Sequence, residues 1–233
     1  MGRQEIPYHY RTFTLMKSDT SILIVGGGLS GLYLAHLLDR AGIKATILEG
    51  ANRLGGRILT VSGELGTPME LGATWFSDLH TELIGLLDTL GVEKYPQYTL
   101  GKSIFQTKSF EPAQIFEVPE AQEPSYRIAG GTQSLISALA QSIDSENIIL
   151  ETAVTGIQDH GDRVLIKTET DKTYTASKVV FCIPPELIAS SIKWEPELPF
   201  DLKQLLPTVH TWMAGSIKFV VEYGTPFWRD NGF

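Results

Sequence analysis

The sequence contains a single cysteine, Cys182, so a disulfide bond within the chain is excluded. Chains with so little cysteine are typical of reducing compartments, and we expect a cytoplasmic protein. No apolar run reaches the roughly 18 residues that cross a bilayer, so we expect no transmembrane segment. Residues 1–19 have no continuous apolar core and no cleavage-site pattern. We therefore interpret them as an N-terminal extension and not as a secretory signal.

Positive charge and metal-ligand clusters are also scarce. The formal net charge is −8 at pH 7, which argues against nucleic acid as a partner. The five histidines are scattered, and none pairs with a cysteine or carboxylate at the spacing of a metal site or a catalytic triad. We therefore expect no metal. With 233 residues, of which 42% are hydrophobic, the chain can form one large or two small domains.

The most informative segment covers residues 21–57, SILIVGGGLSGLYLAHLLDRAGIKATILEGANRLGGR. A short apolar strand at 22–25 precedes a G-x-G-x-x-G turn. A helix is predicted over about 29–40, and a second strand over 44–48 ends at Glu49. This order of strand, glycine turn, helix, strand and acid is typical of a dinucleotide-binding unit.

Each part of this unit has an expected role. Gly26 allows the tight turn, Gly28 lets the backbone approach a pyrophosphate, and Gly31 lets the helix pack closely on the strand. The helix N-terminus directs N–H groups and a partial positive charge at the phosphates. Glu49 is expected to accept hydrogen bonds from ribose hydroxyls. The predicted cofactor-binding residues of the unit are Gly26, Gly28, Leu29, Ser30, Gly31 and Glu49.

Residues 52–57, NRLGGR, resemble the R-x-G-G-R segment of the flavin-containing amine oxidase superfamily. That group includes monoamine and polyamine oxidases, protoporphyrinogen oxidases and carotenoid desaturases. In the family this segment lies along the FAD pyrophosphate and flavin, so the resemblance implies that Arg53, Gly56 and Arg57 bind FAD and not NAD. Two guanidinium groups on a glycine-rich loop suit two phosphate charges. Gly50 and Ala51 depart from the family pattern, in which an alanine is often followed by a polar or basic residue.

Residues 69–76, MELGATWF, resemble the family's E/D-L-G-G/A-x-x-aromatic segment, which lines the flavin. The resemblance implies cofactor contacts by Gly72, Ala73, Thr74 and Trp75. Gly72 and Ala73 have almost no side chains, so a flat ring can approach the backbone. Trp75 or Phe76 could form a wall of the flavin site, and a core position is an equally good interpretation of either residue.

The remaining pattern predicts a helix over 78–90, short strands over 98–118, a helix from Thr132 to about 143 and a strand over 147–150. An antiparallel meander is predicted over 152–158, 164–168 and 173–175, and a separate buried strand over 178–183. In the family this meander belongs to the FAD domain, and the residue that corresponds to Val154 contacts the adenine. A buried strand valine is the alternative. Cys182 is interpreted as a small buried hydrophobic residue.

Residues 210–223, HTWMAGSIKFVVEY, are predicted to form a long strand before TPFWR. S-I-K-x-x-V-x-Y-x-x-P-F-W-R resembles a segment of the monoamine oxidase branch whose lysine holds a water against flavin N5. The resemblance therefore implies a catalytic-side role for Lys218. Because alternate residues of a strand point to the same side, Trp212, Ala214 and Ser216 are expected on the same face as Lys218. The alternative is an edge-strand lysine that reaches solvent.

We therefore predict an α/β protein with a Rossmann-like (GR2-type) FAD-binding domain that includes the meander, and a partial α+β substrate domain. The extension covers 1–19, the FAD-binding domain 20–78 and 126–185, and the substrate domain 79–125 and 186–233. Family members carry a longer helical insert after about residue 94 and continue beyond residue 233. The chain is thus expected to correspond to the first two thirds of a family protein.

The resemblance implies an FAD-dependent oxidase that transfers hydride from a C–H next to the nitrogen of a small amine to flavin N5. Oxygen is then the acceptor and hydrogen peroxide the product. The chain alone is expected to be inactive, with a homodimer or a partner chain supplying the missing part. One alternative is a desaturase or protoporphyrinogen-oxidase-like flavoenzyme, against which Lys218 argues. Another is a truncated, non-catalytic dinucleotide-binding or interaction module.

Overall fold

The computed structural model describes residues 19–117 and 123–233, so nearly all of the predicted extension lies outside the described residues. The strands are, in chain order, β1 (Asp19–Val25), β2 (Ala45–Leu48), β3 (Thr60–Ser62), β4 (Pro68–Glu70), β5 (Lys94–Pro96), β6 (Lys102–Phe105), β7 (Gln114–Glu117), β8 (Tyr126–Ile128), β9 (Ile148–Ile149), β10 (Val154–Asp159), β11 (Val164–Thr168), β12 (Thr173–Phe181) and β13 (Lys193–Glu195). The helices are α1 (Leu29–Arg40), α2 (Thr81–Leu90), α3 (Gln133–Gln141), α4 (Pro185–Ser191), α5 (Phe200–Leu205) and α6 (Phe227–Asp230). None of these helices is both long enough and apolar enough to cross a membrane.

The described residues form two compact units. Unit 1 contains residues 19–54 and 143–214, and unit 2 contains residues 55–142 and 215–233. The chain therefore leaves unit 1 at residue 55, returns to it at residue 143 and leaves it again at residue 215. The predicted cofactor and substrate domains change at 78/79, 125/126 and 185/186, and this functional division stays a prediction.

Unit 1 is built around a seven-stranded sheet in the order β13-β10-β11-β12-β1-β2-β9. The neighbours β12, β1, β2 and β9 are parallel, and β10, β11 and β12 form an antiparallel meander. Side chains from these strands form a core that excludes solvent, and it includes Leu23, Leu48, Ile157 and Ile166. Helix α1 connects β1 to β2 over the predicted residues. The predicted α/β fold, with its parallel sheet and antiparallel meander, is confirmed.

The last strand of the meander and the predicted return strand are one continuous strand, β12. It pairs antiparallel with β11 through residues 173–176 and parallel with β1 through residues 175–181. The prediction of two separate strands was wrong because backbone pairing continues through Ser177 and Lys178, whose side chains are exposed. Cys182 follows the end of the strand and is half-buried, and its N–H donates to the Val25 carbonyl at 2.8 Å.

Unit 2 contains three two-stranded antiparallel pairs, β3–β4, β5–β8 and β6–β7, together with α2, α3 and α6. Apolar faces of α2 and α3 supply its core, because their leucines recur at helical spacing; the buried members are Leu86, Leu87, Leu135, Ile136 and Leu139. Helix α2 begins at Thr81 and not at the predicted residue 78. The Asp78 carboxylate instead accepts hydrogen bonds from Lys94 and from the Tyr126 hydroxyl, both at 2.9 Å.

Residues 210–223 do not form the predicted strand. Alternation of apolar residues suits a strand, but a strand also needs a neighbour with which to pair. Backbone groups of residues 217–221 make no hydrogen bond with any residue that the structure describes. Ile217 and Phe219 are 82% and 86% exposed. The predicted strand over residues 210–223 was therefore wrong. The predicted role of Lys218 does not depend on that strand, and the position of Lys218 is described below.

Candidate functional site

The glycine turn of unit 1 has the geometry that its motif requires. Gly26 has φ +109°, and its N–H donates to the Leu48 carbonyl at 2.9 Å. That φ is readily available only to glycine. A side chain on Gly31 would overlap the carbonyl oxygen of Gly26. Helix α1 can therefore pass close to the turn only because Gly31 has no Cβ.

The N-terminus of α1 is open to an anion. Gly28 is the N-cap residue and provides no side-chain cap. The first-turn N–H groups, at Leu29 and Ser30 among others, therefore receive no side-chain acceptor, and Ser30 is exposed. Uncapped N–H groups at the positive end of a helix dipole suit a phosphate. The residues present thus fit the pyrophosphate of a dinucleotide.

Glu49 directly follows β2 and forms a hydrogen bond with the glycine turn. Its two carboxylate oxygens accept hydrogen bonds from the N–H of Gly27 at 2.6 Å and the N–H of Ala51 at 2.8 Å. A carboxylate has about four lone-pair positions, so acceptor capacity remains for ribose hydroxyls. A Cβ on Gly50 would lie 3.2 Å from the Cβ of Ala153, so an alanine at this position would require a small shift of its neighbour.

Val154 and Arg53 complete the predicted set in unit 1. Val154 begins β10 and belongs to the core of the unit, with 8% of its surface exposed. The Arg53 guanidinium donates to the neighbouring Leu54 carbonyl at 3.2 Å. Burial of Val154 explains why this position is apolar, and its contact with adenine stays a prediction.

Residues 72–74 of unit 2 follow β4 and lie against the backbone of Arg57. The Ala73 N–H donates to the Arg57 carbonyl at 3.1 Å, and a side chain on Gly72 would overlap that carbonyl. Glycine is thus required at 72 by the fold itself. Gly56 and the Arg57 side chain are exposed, as a loop that binds phosphate requires.

Lys218 lies directly against this segment. Its ammonium donates to the Gly72 carbonyl at 2.8 Å and to the Thr74 hydroxyl at 2.6 Å, and that hydroxyl donates to the same carbonyl at 3.1 Å. Two predicted elements that are far apart in sequence are therefore in contact within unit 2. An ammonium has three N–H donors, so one remains for a water or a ligand.

The two aromatic residues of the MELGATWF segment differ in environment. Phe76 is 7% exposed and packs against Tyr126 with ring centroids 5.9 Å apart, so it is a core residue and not a wall of the site. Trp75 is 69% exposed and can contact a ligand.

Beside Phe76, the Lys94 ammonium and the Tyr126 hydroxyl lower the pKa of Asp78.

Two carboxylates that support the site were not predicted. Glu70 is 4% exposed and accepts hydrogen bonds from the N–H and the hydroxyl of Thr132, the N-cap residue of α3. Glu222 accepts from the N–H groups of Leu65 and Thr67. Glu70 is the acid of the E-L-G pattern, so its position was visible in the sequence. Its contact with Thr132 depends on tertiary structure and left no sequence signal.

Comparisons with known proteins show which family and which fold this chain is similar to. A family model described as flavin containing amine oxidoreductase matches residues 29–120 and 104–233. A protein from Dictyostelium discoideum described as a probable flavin-containing monoamine oxidase A is 24% identical, over 94% of this chain and 68% of its own length. Putrescine oxidase from Kocuria rosea is 25% identical, over 92% of this chain and 66% of its own length. A solved structure of putrescine oxidase bound to putrescine has a TM-score of 0.75 at 20% identity, covering 91% of this chain and 68% of its own.

The chain spans about two thirds of the length of these relatives, at 66% and 68%. The alignment with the Dictyostelium protein extends over 318 positions, although the chain has only 233 residues. That relative therefore has residues within the matched region that have no counterpart here. The two matches to the family model overlap at residues 104–120, which places the discontinuity near the β6–β7 pair.

Proposed function

Because this chain belongs to the family of flavin-containing amine oxidoreductases, we propose that it takes part in the oxidation of a small amine. FAD is the cofactor. The proposed reaction removes hydride from a C–H next to nitrogen, with oxygen as final acceptor and hydrogen peroxide as product. The observation that carries the proposal is the contact of Lys218 with Gly72 and Thr74, because it joins the lysine to the segment predicted to line the flavin.

One group of residues suits the ADP half of FAD. The uncapped N-terminus of α1 suits the pyrophosphate, and Glu49 suits the ribose. Arg53, Gly56 and Arg57 provide further phosphate contacts in this proposal. A buried Val154 would lie beneath the adenine as an apolar surface.

Residues 72–74 and Lys218 suit the reacting half of FAD. Gly72, Ala73 and Thr74 present backbone and small side chains, which a flat ring system can approach closely. Bound flavin would itself accept the hydride, so the protein needs to position it and exclude competing reactions. Lys218 would donate its remaining N–H to a water near that reacting edge.

Two alternatives remain distinguishable by experiment. A desaturase or protoporphyrinogen-oxidase-like flavoenzyme would bind FAD but should not depend on Lys218. A non-catalytic module would bind a dinucleotide, or a partner, without turnover. Cytoplasmic location, expected from the single cysteine, stays a prediction.

We further propose that the chain associates with a second copy or a partner chain. Large apolar side chains of unit 2 are exposed, including Phe110, Ile217 and Phe219 at 79%, 82% and 86%. Exposed apolar surface of this kind favours association. Light scattering on the purified chain tests this part, and a stable monomer that turns over amines would contradict it.

The first test of the function is a spectroscopic titration with FAD. Wild-type chain should bind FAD, and Glu49→Ala should bind it more weakly by about 1–3 kcal/mol because ribose hydroxyls lose their acceptor. Asp39→Ala removes an exposed carboxylate of α1 and is the matched control, with no expected change. Full affinity in Glu49→Ala would contradict the role given to Glu49.

The second test is peroxide release with a panel of amines, using the chain with any partner it requires. Lys218→Met keeps side-chain length and removes the charge, so it should slow turnover or flavin reoxidation while FAD stays bound. Lys102→Met removes an exposed lysine of β6 and should not affect either rate. Wild-type rates in Lys218→Met would show that the lysine has no catalytic-side role.

A further inference from the structure

Glu222 lies four residues after Lys218, and its side chain contacts the hairpin formed by β3 and β4. The Glu222 carboxylate accepts hydrogen bonds from the N–H of Leu65 at 2.9 Å and the N–H of Thr67 at 3.0 Å. Both donors belong to the turn between β3 and β4, while the Lys218 partners Gly72 and Thr74 follow β4. Residues 215–223 therefore run along β4 in the opposite direction, with one charged side chain bound at each of its ends.

The β3–β4 turn is shaped to receive this carboxylate. A Cβ on Gly63 would overlap the Glu222 carboxyl group, so glycine leaves the necessary space. The turn closes on itself through the Gly63 N–H, which donates to the Thr67 carbonyl at 2.9 Å. Two N–H groups of a tight turn directed at one carboxylate form a charge-assisted anchor.

Apart from the two side-chain anchors, residues 217–221 have little attachment to the rest of unit 2. No backbone group of residues 217–221 forms a hydrogen bond within the described part of the chain. Ile217, Phe219 and Val221 are exposed at 82%, 86% and 67%, so they contribute little apolar packing. If one anchor is lost, little else fixes the position of the other along β4.

We propose that Glu222 is a positioning residue, whose anchor on the β3–β4 turn holds Lys218 in register with Gly72 and Thr74. Its catalytic consequence rests on the proposed function of Lys218, whereas its structural consequence does not. A carboxylate that merely caps the turn would stabilise the hairpin without affecting Lys218. The proposal is distinguished from this simpler role by what happens to the lysine.

The structural test is acetylation of lysines on the native chain, with rates measured for each peptide by mass spectrometry. Glu222→Gln and Gly63→Ala should each speed acetylation of Lys218 by about fivefold, the factor expected when the net contribution of a hydrogen bond is lost. Lys94, held by Asp78 at 2.9 Å in the same unit, should keep its rate and reports that unit 2 remains folded. Glu64→Gln removes a charge from the same turn and is the matched control.

An unchanged Lys218 rate in both variants, with Lys94 also unchanged, would overturn the proposal. Faster acetylation of Lys218 and Lys94 together would also overturn it, because the effect would then be general loss of structure. Faster acetylation in Glu64→Gln would assign the effect to net charge and not to the anchor.

The functional test compares kcat in the FAD-loaded protein. Glu222→Gln should lower kcat toward that of Lys218→Met at unchanged FAD affinity, and should lower it no further in the Lys218→Met background. An equal further loss in that background would overturn positioning through Lys218. Absence of amine turnover in the wild type, assayed with any partner it requires, would refute the proposed function alone, since the acetylation result is independent of it.

Discussion

Replacement of Glu70 by alanine tests whether this buried carboxylate caps helix α3. Oε1 accepts from the Thr132 N–H at 2.5 Å and the Thr132 hydroxyl at 3.1 Å, and Oε2 accepts from the Thr60 hydroxyl at 2.9 Å. The Thr132 hydroxyl is thus bound to Glu70 and makes no cap bond to its own helix. Without Glu70, a buried N–H at the start of α3 would lack its acceptor.

The expected magnitude follows from these three bonds. Hydrogen bonds to a charged group contribute about 1.5–3 kcal/mol each, and loss of a helix N-cap costs about 0.5–2 kcal/mol. The contributions share atoms and are not additive, so we expect Glu70→Ala to destabilise α3 by about 3 kcal/mol. Glu70→Gln keeps an oxygen that can accept from Thr132, and we expect it to cost about 1 kcal/mol.

Hydrogen exchange of the α3 amides is the suitable assay, because it reports stability locally in a chain with two units. A loss of about 3 kcal/mol corresponds to exchange about a hundredfold faster, and 1 kcal/mol to about fivefold. Glu82→Ala is the matched control, since Glu82 is an exposed acid in the first turn of α2. We expect it to change exchange in α2 only slightly and exchange in α3 not at all.

Two results would refute this reasoning. Wild-type exchange of the α3 amides in Glu70→Ala would show that the carboxylate does not cap the helix. Equal effects of Glu82→Ala and Glu70→Ala on their respective helices would show that helix-dipole charge, and not buried hydrogen bonding, is responsible.

Three further predictions concern single residues. Gly31→Ala places a methyl group against the Gly26 carbonyl, so FAD binding in a spectroscopic titration should be lost, whereas Gly85→Ala, with open space around the added methyl, should bind normally. Burial raises the pKa of the Cys182 thiol, so a thiolate-selective reagent should modify the native chain far more slowly than the urea-unfolded chain, and equal rates would contradict this. Hydrogen bonds from Thr67 and Leu65 lower the pKa of Glu222. The stability that the Glu222 carboxylate contributes is therefore present above the ordinary glutamate pKa. This stability is lost as pH falls through the lowered folded-state pKa. Amide exchange at Leu65 and Thr67, corrected for its intrinsic pH dependence, should lose protection in that acidic window and remain constant near neutrality.

Local sequence patterns predicted unit 1 well because its first half is made of contiguous elements. Helix α1 occupies the predicted residues, since its apolar spacing, the preceding glycine turn and the following Ala41 and Gly42 all indicate the same bounds. The conformational roles of Gly26 and Gly31 were also predictable from spacing. Binding of FAD by these particular residues was inferred from resemblance and stays a prediction.

The errors have a common physical origin in pairing between distant segments. Alternation in residues 210–223 predicted a strand, but alternation cannot show whether a neighbouring strand exists. The interpretation of β12 as two strands failed for the same reason, because the pairing of Ala176 with both Val164 and Thr20 depends on residues far away in sequence. Glu70 and Glu222 were missed because their partners lie 62 and 155–157 residues away.

The sheet of unit 1 is continuous although residues 55–142 interrupt it in sequence. Its two halves meet at two places, where β1 pairs with β12 and where β2 pairs with β9. The entropy of closing a loop rises only with the logarithm of its length, by about 0.6 kcal/mol per doubling. Evolution can therefore lengthen or shorten the interrupting segment with little effect on the sheet, and the Dictyostelium relative does carry additional residues within the matched region. Changes in the length of residues 55–142 should therefore have little effect on the sheet that is predicted to bind the dinucleotide.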